Sequence, residues 1–110
     1  MKSIDALYLE IAQRIVNAIG DEWEKAVINF QYFGDAGEYT GRYYKTDADD
    51  EHHFKVGYQS YKAFKSIHKI STENGSNIWN RARFTLYPSG KFNIEFEWDQ
   101  ALEDDVNANS

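Results

Sequence analysis

The stretch N-R-A-R-F-T-L-Y-P-S-G-K-F-N-I-E-F-E-W, residues 80–98, decides the fold. Ala82, Phe84 and Leu86 alternate with Arg81, Arg83 and Thr85, and Phe92, Ile94, Phe96 and Trp98 alternate with Asn93, Glu95 and Glu97. A period of two is the signature of half-buried strands, so 80–87 and 91–98 are predicted strands. Pro88-Ser89-Gly90 between them suits a three-residue hairpin loop, with Pro opening a type I turn and Gly supplying the left-handed residue. Pairing Tyr87 with Lys91 then sets Phe84 opposite Ile94, Arg83 opposite Glu95 and Arg81 opposite Glu97. Apolar meets apolar on one face and base meets acid on the other, and a one-residue slip would destroy both. The pattern therefore places Phe84, Leu86, Ile94 and Phe96 in the core, and lets the two arginines account for Glu95 and Glu97.

Upstream, residues 26–33 alternate again, with Ile28, Phe30 and Tyr32 on one face. Gly34 to Gly37 is a turn segment, and Glu38 to Lys45 is a second strand, so the two form an antiparallel hairpin. His52 to Val56 is a third, short strand. Residues 3–19 carry Ile4, Leu7, Tyr8, Ile11 and Ile15 at helical spacing, with Ser3 as N-cap and Gly20 as stop. Leu9 and Val16 lie off that stripe and suggest cover on a second side. Residues 58–73 form another helix, with Tyr61, Phe64, Ile67 and Ile70 on one side, Lys62, Lys65 and Lys69 opposite, and Asn74-Gly75 ending it. The polar residues 101–110 read as a frayed tail. The expected fold is one α+β domain spanning 1–110, an antiparallel sheet of four or five strands with two helices on one face.

Composition narrows function. Of 110 residues, 42% are hydrophobic and 16% aromatic, which excludes wholesale disorder. There is no cysteine, which removes disulfides, thiolate metal sites and cysteine nucleophiles, and fits a reducing, cytoplasmic setting. Apolar runs reach only three or four residues, too short for a membrane span or a signal-peptide core. The net charge is -6, which disfavours nucleic acid and anionic lipid and favours basic partners. The charge is segregated: residues 1–51 hold eleven acids and five bases, 52–94 one acid and seven bases, and 95–110 six acids and no base.

No catalytic constellation emerges. His52 and His53 beside Asp49, Asp50 and Glu51 resemble a metal cluster, but adjacent strand residues point to opposite faces, and no helical H-x-x-x-H completes a site. His68 lies near the apolar side of its helix, with no G-x-S-x-G to supply a nucleophile. Lys62, Lys65 and Lys69 with Arg81 and Arg83 read as a solvated face in an acidic chain, not as a phosphate site. No cofactor is expected. What remains reads as an interaction module, with aromatic anchors and carboxylates that steer basic partners. The competing reading is a small-molecule-binding or enzymatic domain with an aromatic-lined cavity between sheet and helices.

Three stretches carry a family resemblance: L-Y-L-E-I-A-Q-R-I (7–15), E-W-E-K (22–25) leading into an aromatic strand, and L-Y-P-S-G-K-F-N-I-E-F-E-W-D (86–99). In this order they resemble the YezG-like immunity proteins, bacterial antitoxins encoded beside secreted polymorphic and contact-dependent toxins. These are fold signatures without a catalytic motif. The resemblance implies an antitoxin that binds a cognate toxin C-terminal domain in the cytoplasm; partners of that family are often nucleases, which present a basic groove. Residues 46–79 are shorter than in many members and are where partner choice would reside. For the contact surface, Asp47, Asp49, Asp50 and Glu51 form the densest acidic run, on a loop expected to be free of packing; its plain alternative is a solubilising turn. Two rival surfaces are the acidic tail Glu103, Asp104 and Asp105, and the tyrosines Tyr39, Tyr43 and Tyr44 of the first hairpin, expected to be exposed.

Overall fold

A computed structural model of the chain describes residues 3–20, 22–32, 37–45, 51–73 and 78–108. The elements are α1 (Ile4–Ala18), β1 (Lys25–Tyr32), β2 (Gly37–Tyr44), β3 (Glu51–Phe54), α2 (Tyr58–Thr72), β4 (Arg81–Leu86), β5 (Phe92–Glu97) and α3 (Gln100–Ala108). The five strands form one sheet in the order β3-β2-β1-β4-β5, with every neighbouring pair antiparallel. The fold is therefore α+β, as the alternation of apolar residues implies. No helix among the described residues is long and apolar enough to cross a membrane.

The β4–β5 hairpin has the register read from its side chains: Phe84 faces Ile94, Arg83 faces Glu95 and Arg81 faces Glu97. Gly90 has φ of 92°, a left-handed conformation that glycine adopts without steric penalty. The Tyr87 amide donates to the Lys91 carbonyl and the Gly90 amide to the Tyr87 carbonyl, both at 2.9 Å. Strand β1 lies between β2 and β4, and aligns Ile28 with Gly41 and Phe84, and Phe30 with Tyr39 and Ala82. Every second residue across the sheet thus turns to the same side.

That side is covered by α1 and α2. Leu7, Ile11 and Ile15 from α1 and Ala63, Phe64 and Ile67 from α2 are buried with Ala26, Ile28, Phe30, Ala82, Phe84 and Leu86 of the sheet. Ser3 caps α1 by accepting a bond from the Ala6 amide at 3.2 Å. The Phe30 and Phe64 rings stack at 5.0 Å, and Phe84 meets Phe64 edge-on at 6.5 Å. Trp79 completes the cluster and donates its indole N–H to Ser71 Oγ at 2.8 Å. Gly41 is required by close packing: a Cβ there would lie 2.8 Å from Val56 Cγ2 and 2.9 Å from the Phe54 ring.

Four expectations change. Phe96 is not in the core: it is 39% exposed, because β5 is an edge strand and the fully buried residues lie on β1 and β4. Ile94 is only partly buried against the core. Leu9 and Val16, 62% and 50% exposed, face solvent, so α1 is covered on one side only. Most of the supposed tail is a third helix, α3, with Leu102 buried. The first turn segment at 34–36, the loop at 46–50 and the Asn74-Gly75 stop lie outside the described residues.

These burials set an order of stabilities. Phe84→Ala should destabilise by about 3–5 kcal/mol, because a fully buried ring leaves a cavity. Phe96→Ala should cost only about 1–2 kcal/mol, in keeping with a side chain that keeps much of its surface in water. Urea denaturation of the two variants measures the difference directly; equal losses would contradict the edge position of β5.

Candidate functional site

Strand alternation turns the other side of the sheet away from α1 and α2, and it is there that polar side chains collect. At its β3 end, Glu51 is held from two sides: Arg42 Nη1 lies 3.3 Å from Glu51 Oε1, and the Tyr44 hydroxyl donates to the same oxygen at 3.0 Å. Partial burial, followed by the Glu51 carboxylate, holds the Tyr44 phenol above its ordinary value. Lys25 Nζ sits 4.9 Å over the Tyr44 ring, a cation–π contact that fixes the lysine near the sheet. Arg42 Nε is buried and has no hydrogen-bond partner among the described residues.

Toward β5 the face opens into two adjoining depressions of about 360 Å³ and 530 Å³, which share Asn29, Arg83 and Glu95. Arg83 Nε donates to Asn29 Oδ1 at 3.3 Å. The expected ion pairs across the hairpin do not form, although the register that would allow them does. Arg81 instead reaches Asp99, with Nε 2.7 Å from Oδ2. Asp99 wins because it is already fixed. Its amide donates to Asn80 Oδ1 at 2.7 Å, its carbonyl accepts from Asn80 Nδ2 at 2.8 Å, and its Oδ1 caps α3 through the Leu102 amide at 3.2 Å. Glu95 accepts a bond from Asn93 Nδ2 at 3.2 Å. Among the described residues, neither Glu95 nor Glu97 has a basic group within 4.0 Å.

The residues singled out from sequence do not form one patch. Tyr39 and Tyr43 turn to the helical side, where Tyr39 lies 5.6 Å from Tyr61 and Tyr43 stacks on His52 at 5.1 Å. Tyr44 alone faces the uncovered side. All three are half-buried, a correction to the expected exposed trio that follows from the period of the strand. Glu51 begins β3 and is tied to Arg42 and Tyr44, so it does not belong to a free loop. Asp47, Asp49 and Asp50 lie outside the described residues. Glu103, Asp104 and Asp105 are carried on α3, where Asp104 accepts a bond from Gln100 at 3.0 Å.

The remaining polar candidates are structural in their contacts. His68 donates from Nε2 to the Trp79 carbonyl at 2.9 Å and stacks on Tyr32 at 4.0 Å. Burial lowers its pKa, so the neutral ring is favoured. Lys62 and Lys65 lie over the Tyr58 and Tyr61 rings at 5.8 and 6.0 Å. Among the described residues no three His, Cys, Asp or Glu side chains gather to hold a metal ion. Sequence reasoning missed Asn80 and Asp99, although Asp99 before Q-A-L-E is a legible N-cap signal.

The geometry defines the class first: an α+β protein with one sheet face closed by helices and the other presenting charged side chains at fixed positions. The chain belongs to the YezG-like immunity protein family, whose model, described as immunity protein YezG-like, matches residues 4–110. Comparison with curated proteins finds no match.

The Asp99 latch gives a pH dependence of known sign. The Arg81 guanidinium, then the Leu102 amide, hold the Asp99 carboxyl below its ordinary value of 3.8. A carboxylate favoured by folding contributes stability that is complete above its unfolded value and is lost as pH falls through the folded one. Asp99→Ala should therefore loosen α3 at neutral pH, and acid should do the same to the wild type below its ordinary range. Amide exchange over residues 102–108 reads both; protection unchanged by the substitution would show that the latch does not hold the helix.

Proposed function

We propose that this chain is an antitoxin that binds a cognate secreted toxin domain in the bacterial cytosol and neutralises it by protein–protein contact, without catalysing a reaction. The observation that carries this reading is the family match over residues 4–110. The partner we propose is a nuclease of a polymorphic or contact-dependent toxin system, because a groove built for phosphates is basic and this chain has a net charge of -6. Support for contact over catalysis comes from how the polar groups are used. His68 donates to a backbone carbonyl, Arg42 and Arg81 pair with carboxylates and Arg83 donates to an amide oxygen, whereas Glu95 and Glu97 lack a basic neighbour among the described residues.

The aromatic-cavity reading is less favoured. The space between sheet and helices is occupied by Phe30, Phe64, Phe84 and Trp79, all buried. For the contact surface we propose the uncovered face around Tyr44, with the acidic run Asp47, Asp49, Asp50 and Glu51 as the steering element. Tyr39 and Tyr43, on the opposite face, would contribute by holding that hairpin in place.

Co-expression tests the function. The C-terminal domain of the toxin encoded by the adjacent gene should kill cells when expressed alone and spare them when this chain is present, and the two should copurify. Killing that this chain does not relieve would refute the proposal. Within the complex, Asp49→Lys with Asp50→Lys should slow association and flatten its salt dependence while leaving the melting temperature in place, because steering charges act chiefly on encounter. Stopped-flow rates at low and high salt check this; wild-type rates in both would remove the acidic run from the interface.

A further inference from the structure

We infer that β5 is a docking strand: an extended segment of the toxin partner, alternating basic and apolar residues, adds beside it as a sixth strand. The inference rests on the immunity reading and deepens it by naming where and how the partner binds.

The sheet order leaves β5 at one edge, with six residues in an unbroken ladder to β4, whereas the opposite edge, β3, has four. The phase of the ladder fixes which backbone groups are free. Because the Tyr87 amide donates to the Lys91 carbonyl, Tyr87 and Lys91 are a hydrogen-bonded pair. Such pairs alternate in antiparallel sheets, so Asn93, Glu95 and Glu97 turn their amides and carbonyls toward β4. Those of Phe92, Ile94 and Phe96 then point outward, three donors and three acceptors in a row. Between Phe92 and Glu97 this strand has no proline, lysine or bulge. Its guard against indiscriminate edge pairing is the charge of Glu95 and Glu97, which a basic strand neutralises and an acidic or apolar one does not.

The side chains say what kind of strand fits. On the helical side, Phe92, Phe96 and Trp98 are 38%, 39% and 42% exposed, a row of aromatic edges with room for apolar neighbours. On the other side, Glu95 and Glu97 are exposed carboxylates without a basic group within 4.0 Å among the described residues, because Arg81 is committed to Asp99 and Arg83 donates to Asn29. An added strand places its side chains directly beside these. Lysine or arginine on one face and apolar residues on the other complement both rows, with main-chain bonds supplying affinity and alternate side chains specificity. A second copy of this chain satisfies the acidic row only in part. With two β5 strands antiparallel and fully overlapped, Phe92 pairs with Phe96 and Ile94 with Ile94, so Glu97 meets Lys91 but Glu95 meets Asn93 and no base.

The test uses isotope-labelled chain, alone and bound to the purified C-terminal domain of the toxin encoded by the adjacent gene, with amide exchange read residue by residue. In the free chain, the Phe92, Ile94 and Phe96 amides should exchange at least roughly 100-fold faster than those of Asn93 and Glu95, and in the complex they should slow to match them. Glu95→Gln with Glu97→Gln should weaken binding by about tenfold or more and reduce its salt dependence without lowering the melting temperature. A complex in which the three amides exchange as in the free chain overturns the docking strand and leaves the immunity reading standing. Failure to form a complex overturns that reading and the docking strand with it. Protection of the three amides in the free chain that grows with protein concentration assigns the edge to a second copy and also overturns the inference.

Discussion

The register between β1 and β4 is the constraint on which the rest of the structure depends. Ile28 opposite Phe84 and Phe30 opposite Ala82 bring two phenyl rings onto the helical side of adjacent strands, where Phe64 lies against both. A one-residue slip would turn one strand over relative to the other, sending Phe30 outward and Asn29 inward, or Phe84 outward and Arg83 inward. Aromatic contacts of this kind contribute about 0.5–1.5 kcal/mol each beyond the surface they bury, so the correct register is favoured several times over. The same alternation sorts the charged residues onto the opposite face. Core and candidate surface are therefore two consequences of one pairing.

Much of this was legible locally. The turn chemistry of Pro88-Ser89-Gly90 and the matched alternation on either side fixed the second hairpin, and helical spacing of Leu7, Ile11 and Ile15 fixed α1. What was not legible depended on neighbours distant in sequence. Alternation shows which side of a strand is apolar, but not where that strand lies in the sheet, so Phe96 looked like core although β5 is an edge. Helix α3 has one buried apolar anchor, Leu102, and its cap is fixed by Asn80, nineteen residues before Asp99 in the chain. The register alone favours the cross-hairpin pairs, yet Asp99, held in place by Asn80 and α3, captures Arg81. Tyr39, Tyr43 and Tyr44 are neighbours in sequence, whereas the strand splits them between two faces.

Those departures bear on function as much as on fold. A buried Phe96 would close the edge of the sheet; a half-exposed one leaves a strand with free backbone groups and an aromatic row. Arginines bound to Glu95 and Glu97 would neutralise that edge; their diversion to Asp99 and Asn29 leaves its carboxylates available to a basic partner. A preformed sheet loses little conformational freedom on binding, which favours the proposed contact with a toxin domain. On this view the helical layer supplies rigidity, and recognition belongs to the uncovered face and the β5 edge.

The most direct test of that division is a cross-saturation map of the labelled chain in complex with the toxin domain. The account predicts attenuated amide signals along β5 and on the uncovered face near Tyr44 and Arg83, with the α2 lysine face around Lys62, Lys65 and Lys69 unaffected. Attenuation centred on α2, with β5 and the uncovered face unchanged, would contradict it.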